Sequence, residues 1–152
     1  MAKTYSMDSN QQKEALTSAK AFLKAAKVLI ASKSNDEMIL IIPCAINAVF
    51  SCELFLKVLI SKSTGTFKGL HGIYDLFQAL DQNKKSSLET AFNTKVDFSK
   101  FQNFSYNCLT DFLKAESDNF IEWRYSYENT KLSFTINAWI ELAEILQSEA
   151  DK

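Results

Sequence analysis

A single histidine and a single arginine stand among 152 residues that include sixteen lysines, so the imidazole and the guanidinium occur once each. His71 is the one side chain that ordinarily titrates near neutrality, which makes it the acid–base candidate; a loop imidazole donating to a backbone carbonyl is the alternative. Arg124 lies in Trp123-Arg124-Tyr125-Ser126-Tyr127-Glu128. Where lysine serves for every other positive charge, an arginine points to use of its flat five-donor fork. That fork suits a phosphate, with Tyr125 and the neighbouring aromatics stacking on it, or a buried clamp onto a carboxylate such as Glu53 or Glu128. Glu53 and Lys57 are four apart in the favourable order for pairing on one helix face. Within so apolar a segment the pair is either a structural tie or the polar floor of a site. Lys13, Lys20, Lys24 and Lys27 share one strip of a helix at ~100° per residue, either a solvated face or a surface for a polyanion.

Other chemistry loses its usual support. The chain has no Walker loop, GxGxxG, HExxH, GxSxG or EF-hand pattern. One histidine and three cysteines without a CxxC pair do not make a zinc set, so neither metal nor cofactor is expected. If Cys44 and Cys52 share a helix they sit ~12 Å apart along its axis, too far for a disulfide; they and Cys108 read as core thiols. Seventeen basic against eighteen acidic residues leave a net charge of −1, so no global field drives the chain onto nucleic acid or membrane. Met1-Ala2-Lys3-Thr4-Tyr5 lacks the apolar run of a secretory signal, and the expected location is cytoplasmic.

These residues need elements to position them. Three glycines and one proline are too few for the turns of an all-β fold, while 47% apolar and 23% charged residues suit a folded globular chain. The expectation is one all-α domain over residues 1–152, with residues 1–8 and 149–152 as candidate flexible ends. Asp8 or Ser9 can cap a helix to about Lys33, burying Leu16, Ala19, Leu23, Ala26 and Ile30. Met38 to Ile60 reads as a central helix that Pro43 kinks near its start or opens as its first turn. Its charge-free part, Met38 to Cys52, is shorter than the ~20 residues that span a bilayer, and Asn47, Glu53 and Lys57 are costly in lipid, so no membrane contact is expected. Ser61 to Gly69 reads as a loop, followed by helices near 70–80, 84–92, 99–117 and from Thr130 or Ser133 onward. The sum is an up-and-down helical bundle of four to five main helices. Its long helices carry more apolar face than a small bundle covers, which predicts a homodimer.

The succession Ser51-x-Glu53-Leu54-x-Leu56-Lys57-x-Leu59-Ile60, then His71-x-x-x-Asp75-Leu76-Phe77 after a glycine-bearing loop, then Trp123-Arg124-Tyr125-x-x-Glu128, resembles the HEPN superfamily from Ser51 to about Leu146. The resemblance implies a helical bundle dimerising through its long helices. It also implies a toxin–antitoxin, phage-defence or CRISPR-associated setting, with an antitoxin or other protein as partner. Many such proteins are metal-independent ribonucleases that place a histidine after an arginine with four to six residues intervening. The corresponding positions here are Asn129, Thr130 and Lys131. The resemblance therefore implies either a module that binds RNA, nucleotide or protein without cutting, or a ribonuclease in which Arg124 is the cation and His71 supplies the imidazole. Glu53, Lys57 and Tyr125 would orient them, and Lys20, Lys24 and Lys27 would extend the RNA-binding surface. A purely structural adaptor is the remaining expectation.

Overall fold

The computed structural model describes residues 3–32, 37–69, 71–100, 106–117 and 132–152. Its helices are α1 (Ser9–Ala31), α2 (Glu37–Thr64), α3 (Ile73–Gln78), α4 (Gln82–Lys95), α5 (Leu109–Glu116) and α6 (Leu132–Ala150), and strands β1 (Thr4–Ser6) and β2 (Thr66–Lys68) form an antiparallel ribbon. The fold is an all-α bundle.

α1 starts where the sequence supplies a capping box. The Asp8 carboxylate accepts from the Gln11 N–H at 2.8 Å, and the Gln11 side chain accepts from the Asp8 N–H at 3.0 Å. Ala19, Leu23 and Ala26 are its buried stripe, and they meet the face of α2 that carries Cys44 and Ser51. Two donors on α2 reach backbone carbonyls of α1: Cys44 Sγ to Ala26 O at 3.3 Å and Ser51 Oγ to Ala19 O at 2.8 Å. The donors are seven apart and so are the acceptors, in reversed order. That pattern fixes an antiparallel pair in register over two turns.

α2 is the centre of the bundle, packing against α1, α3, α6 and β2. Pro43 lies inside α2, past a start at Glu37, so the helix does not open on it. Leu40–Thr64 is long and apolar enough to cross a membrane, but 67% of its most apolar stretch is buried within the fold. Cys52 Sγ reaches Trp139 O of α6 at 3.6 Å, and Lys62 Nζ donates to the Ala150 carbonyl at the end of α6 at 2.7 Å. α2 and α6 therefore run parallel. α1 is antiparallel to both, and the pairs Lys84–Glu149 and Lys95–Glu141 set α4 antiparallel to α6, so α1, α2, α4 and α6 alternate in direction as expected of an up-and-down bundle.

Four boundaries differ from the sequence expectations. Ser61–Thr64 continue α2 rather than opening a loop. Gly65, at φ +75°, then reverses the chain, its N–H donating to Ser61 O at 2.9 Å. Thr4–Ser6 and Thr66–Lys68, read as part of a flexible end and part of a loop, pair as the ribbon. The helix expected over 99–117 is realised as a 3₁₀ turn (Phe98–Lys100) and α5, which begins only at Leu109. Its start is set from α4: Asn93 Oδ1 accepts from the Leu109 N–H at 2.9 Å, while Glu89 Oε1 accepts from the Thr110 N–H and hydroxyl. At the other end of the chain, residues 149 and 150 close α6 rather than fraying.

Aromatic rings fill the space between α4, α5 and α6. Phe112, fully buried, lies 5.4 Å from Phe92, 5.8 Å from Tyr106 and 5.0 Å from Trp139. Lysines of the flanking helices clasp the acids of α6 and of the residue that follows it: Lys20–Asp151 and Lys27–Glu144 from α1, Lys84–Glu149 and Lys95–Glu141 from α4. Most are half exposed, and such pairs contribute ~0–1 kcal/mol each. Glu149 is the best covered, and hydrogen bonds from Lys152 and then Lys84 hold its carboxyl below the usual glutamate range against the opposing effect of burial.

Phe112→Ala removes the hub of the aromatic cluster and is expected to destabilise the fold by ~3–5 kcal/mol in denaturant titrations. Glu149 binds its proton less readily folded than unfolded, so its stabilisation is complete above the ordinary glutamate value and fades as pH falls through its own lower value. Glu149→Gln should accordingly cost on the order of 1 kcal/mol at neutral pH. Its stability curve should converge with the wild type on acidification below the ordinary glutamate value, as read from melting temperatures across that range.

Candidate functional site

Glu53 and Lys57 occupy adjacent turns of α2 on the side turned away from the α1–α6 packing. Lys57 Nζ lies 2.6 Å from Glu53 Oε1, and the two side chains are only 12% and 13% exposed. A glutamate and lysine this far out of water must be matched, and here they are.

His71 completes the group. Beyond Gly65 the chain runs back along α2 as β2, which covers the return economically. From Glu53 to Thr64 is ~16 Å of helix, and the seven residues to His71 reach ~23 Å when extended. His71 Nδ1 thereby meets Glu53 Oε1 at 3.0 Å. One carboxylate oxygen thus accepts from an ammonium and an imidazole together. The imidazole itself is 80% exposed. Because a carboxylate accepts, Nδ1 must carry the proton, and Nε2 presents its lone pair to solvent when the ring is neutral. His71 is therefore oriented by a carboxylate and not, as the sequence allowed, by a backbone carbonyl.

The surroundings come from α3 and α5. The Tyr74 N–H donates to Ser117 Oγ at 3.1 Å, and a Cβ at Gly72 would lie 3.1 Å from Asp75 Oδ2 and 3.9 Å from Ser117 Oγ. Asp75 and Ser117 thus border the His71 segment, and neither was singled out from sequence as a site residue in its own right. Also unforeseen is a buried couple on the other side of α5. Tyr106 Oη donates to Glu116 Oε1 at 2.6 Å, and burial followed by that carboxylate pushes the tyrosine hydroxyl far up. Ten residues separate the two, and no local spacing announces them.

The structure does not bring the lysine strip to this group. Lys20 and Lys27 are engaged with Asp151 and Glu144, and Lys24 is exposed beside them. On the other flank of α1, Phe22 packs against Phe50 of α2 at 5.8 Å, three residues from Glu53. Arg124, Tyr125 and Glu128 lie outside the described residues. Cys44 and Cys52 are buried, as expected of core thiols, whereas Cys108 is half-buried at the start of α5. Burial raises all three thiols, Cys44 to about 11, so none is a thiolate nucleophile at neutral pH. Among the described residues no three His, Cys, Asp or Glu side chains cluster as metal ligands. A cleft of about 260 Å³ between the end of α4 and α6 is lined by Lys95, Asp97, Lys100, Asn137 and Glu141. Lys95 pairs with Glu141 across it, and hydrogen bonds from Ser99 hold the Asp97 carboxyl low. No protein-family model, curated protein or solved structure matches the chain.

Glu53→Ala withdraws the anion shared by Lys57 and His71. Loss of one member of a fully buried pair costs ~3–5 kcal/mol, and the residual exposure here lowers the expectation to ~2–3 kcal/mol. Lys13→Ala on exposed α1 should stay within ~0.5 kcal/mol. Equilibrium unfolding of the two variants makes the comparison.

Proposed function

We propose that the protein is a HEPN-like helical module that binds single-stranded RNA. The reading rests on one observation, the His71 imidazole held by Glu53 at Nδ1 with its other edge in solvent. The exposed Nε2 of an oriented ring accepts from a ribose 2′-hydroxyl when the ring is neutral and donates to a phosphodiester oxygen when the ring is protonated. Glu53 keeps Lys57 and His71 in place while its own charge prevents a strongly basic surface, which favours contact with one or two phosphates over tight non-specific binding. In this reading Arg124 adds the bidentate phosphate contact and Tyr125 a stacking surface. The chain acts as a homodimer that repeats the site, in the cytoplasm, within a toxin–antitoxin or defence system whose second protein restrains it.

The carboxylate-held imidazole also favours a second reading, metal-independent cleavage. A base takes the 2′-hydroxyl proton and the 2′-oxygen bonds to phosphorus. The bond to the 5′-oxygen then breaks, and that oxygen takes a proton from an acid. His71 would serve as one of these groups, and Arg124 would stabilise the charged phosphorane.

A labelled single-stranded RNA panel, read by anisotropy for binding and by gel for products, tests both. Binding is expected to weaken in His71→Ala and in both Arg124→Ala and Arg124→Lys, because lysine keeps the charge and loses the fork. If products form, they should persist in EDTA, vanish with a 2′-deoxy substrate, and fall ~10²–10⁴-fold in His71→Ala. Light scattering reads the dimer in the same samples. Absence of RNA binding by a folded protein would overturn the proposal.

A further inference from the structure

The segment that carries His71 is held by the N-terminal strand. β1 pairs with β2 in the register Thr4↔Lys68, Tyr5↔Phe67 and Ser6↔Thr66, and the ladder extends one step further, the Gly69 N–H donating to Lys3 O at 2.8 Å. Gly69 is two residues from His71. At this point the strap presses closest: a Cβ on Gly69 would fall 2.8 Å from Tyr5 Cε2 and 3.3 Å from Lys3 O, so a side chain there must push the Tyr5 ring aside and move the β1 backbone off the segment. The other end of β1 is anchored through Met7 to the Asp8 capping box of α1, and α1 is locked in register to the same helix that bears Glu53. Glu53 and His71 are therefore tied by two routes, directly through Gly65 and β2, and indirectly through α1 and β1. An imidazole 80% exposed has little packing of its own to keep it on Glu53.

We propose that β1 is a positioning strap for the site, with Tyr5 and Gly69 as the residues through which it holds His71 against Glu53 and so fixes which ring nitrogen carries the proton. This rests on the reading of His71 as a group that meets RNA, and makes the N-terminal strand part of the site's specificity for a correctly presented Nε2.

Because His71 is the sole histidine, the nitrogen-15 shifts of the imidazole in the full chain belong to it alone. At a pH where the ring is neutral, the wild type is expected to show the Nδ1–H form, whereas free histidine favours Nε2–H. Removal of residues 1–6, and separately Gly69→Ala, should return the ring toward the free-histidine form, with unfolding midpoints confirming that the bundle persists. Tyr5→Phe, which keeps the ring over Gly69, should retain the Nδ1–H form. Should the shortened chain fail to fold, Gly69→Ala carries the comparison. Retention of the Nδ1–H form in Gly69→Ala, and in the shortened chain if it folds, overturns the strap and leaves the RNA reading standing. A wild type without that form overturns both, and an Nδ1–H wild type that loses it in the variants but binds no RNA supports the strap alone.

Discussion

Everything in the bundle is placed relative to the register of α1 against α2, and small side chains set that register. Ala19 and Ala26 are wholly buried, and their lack of bulk lets a hydroxyl and a thiol on α2 reach the α1 backbone. A helical carbonyl already accepts one hydrogen bond along its own helix, and its second lone pair takes the Ser51 proton. A slide by one turn would strand the Ser51 hydroxyl against apolar surface, a cost of ~1–3 kcal/mol for a buried unpaired group. With that face of α2 committed to α1, Cys52 turns toward Trp139 and Glu53 turns outward.

The outward face then has an electrostatic problem that the fold solves with chain rather than with charge. Glu53 and Lys57 satisfy each other, and one oxygen of Glu53 accepts a further donor. Gly65 makes the reversal that delivers it, since its positive φ would strain any residue with a side chain. The result differs in kind from the lysine–acid pairs around α6, whose members are mostly long, half-exposed side chains with little to hold them in one geometry. Those pairs tie down the last helix, whereas the Glu53 cluster presents a ring.

This division also explains why the lysine strip on α1 does not join the Glu53 cluster. The strip on α1 looks like a surface for polyanions when α1 is considered alone. Once α6 lies alongside, Lys20 and Lys27 find Asp151 and Glu144, and seven-residue spacing on both antiparallel helices makes both pairs possible at once.

The sequence by itself determined what depends on residues a few positions apart: the Asp8 cap, the buried stripe of α1, the apolar central helix, the glycine-bearing turn after it, and the Glu53–Lys57 pair. Such features follow from helix geometry, because side chains four apart meet whatever the rest of the chain does. Only the tertiary structure decided the start of α5, capped by Asn93 and Glu89 of α4 from 16 and 21 residues away, and the meeting of His71 with Glu53 across 18. It also turned two unremarkable segments, Thr4–Ser6 and Thr66–Lys68, into partners. Three-residue strands have too little periodicity to be read locally, and their hydrogen bonds exist only after the folding of α1 and α2 has brought the two segments side by side.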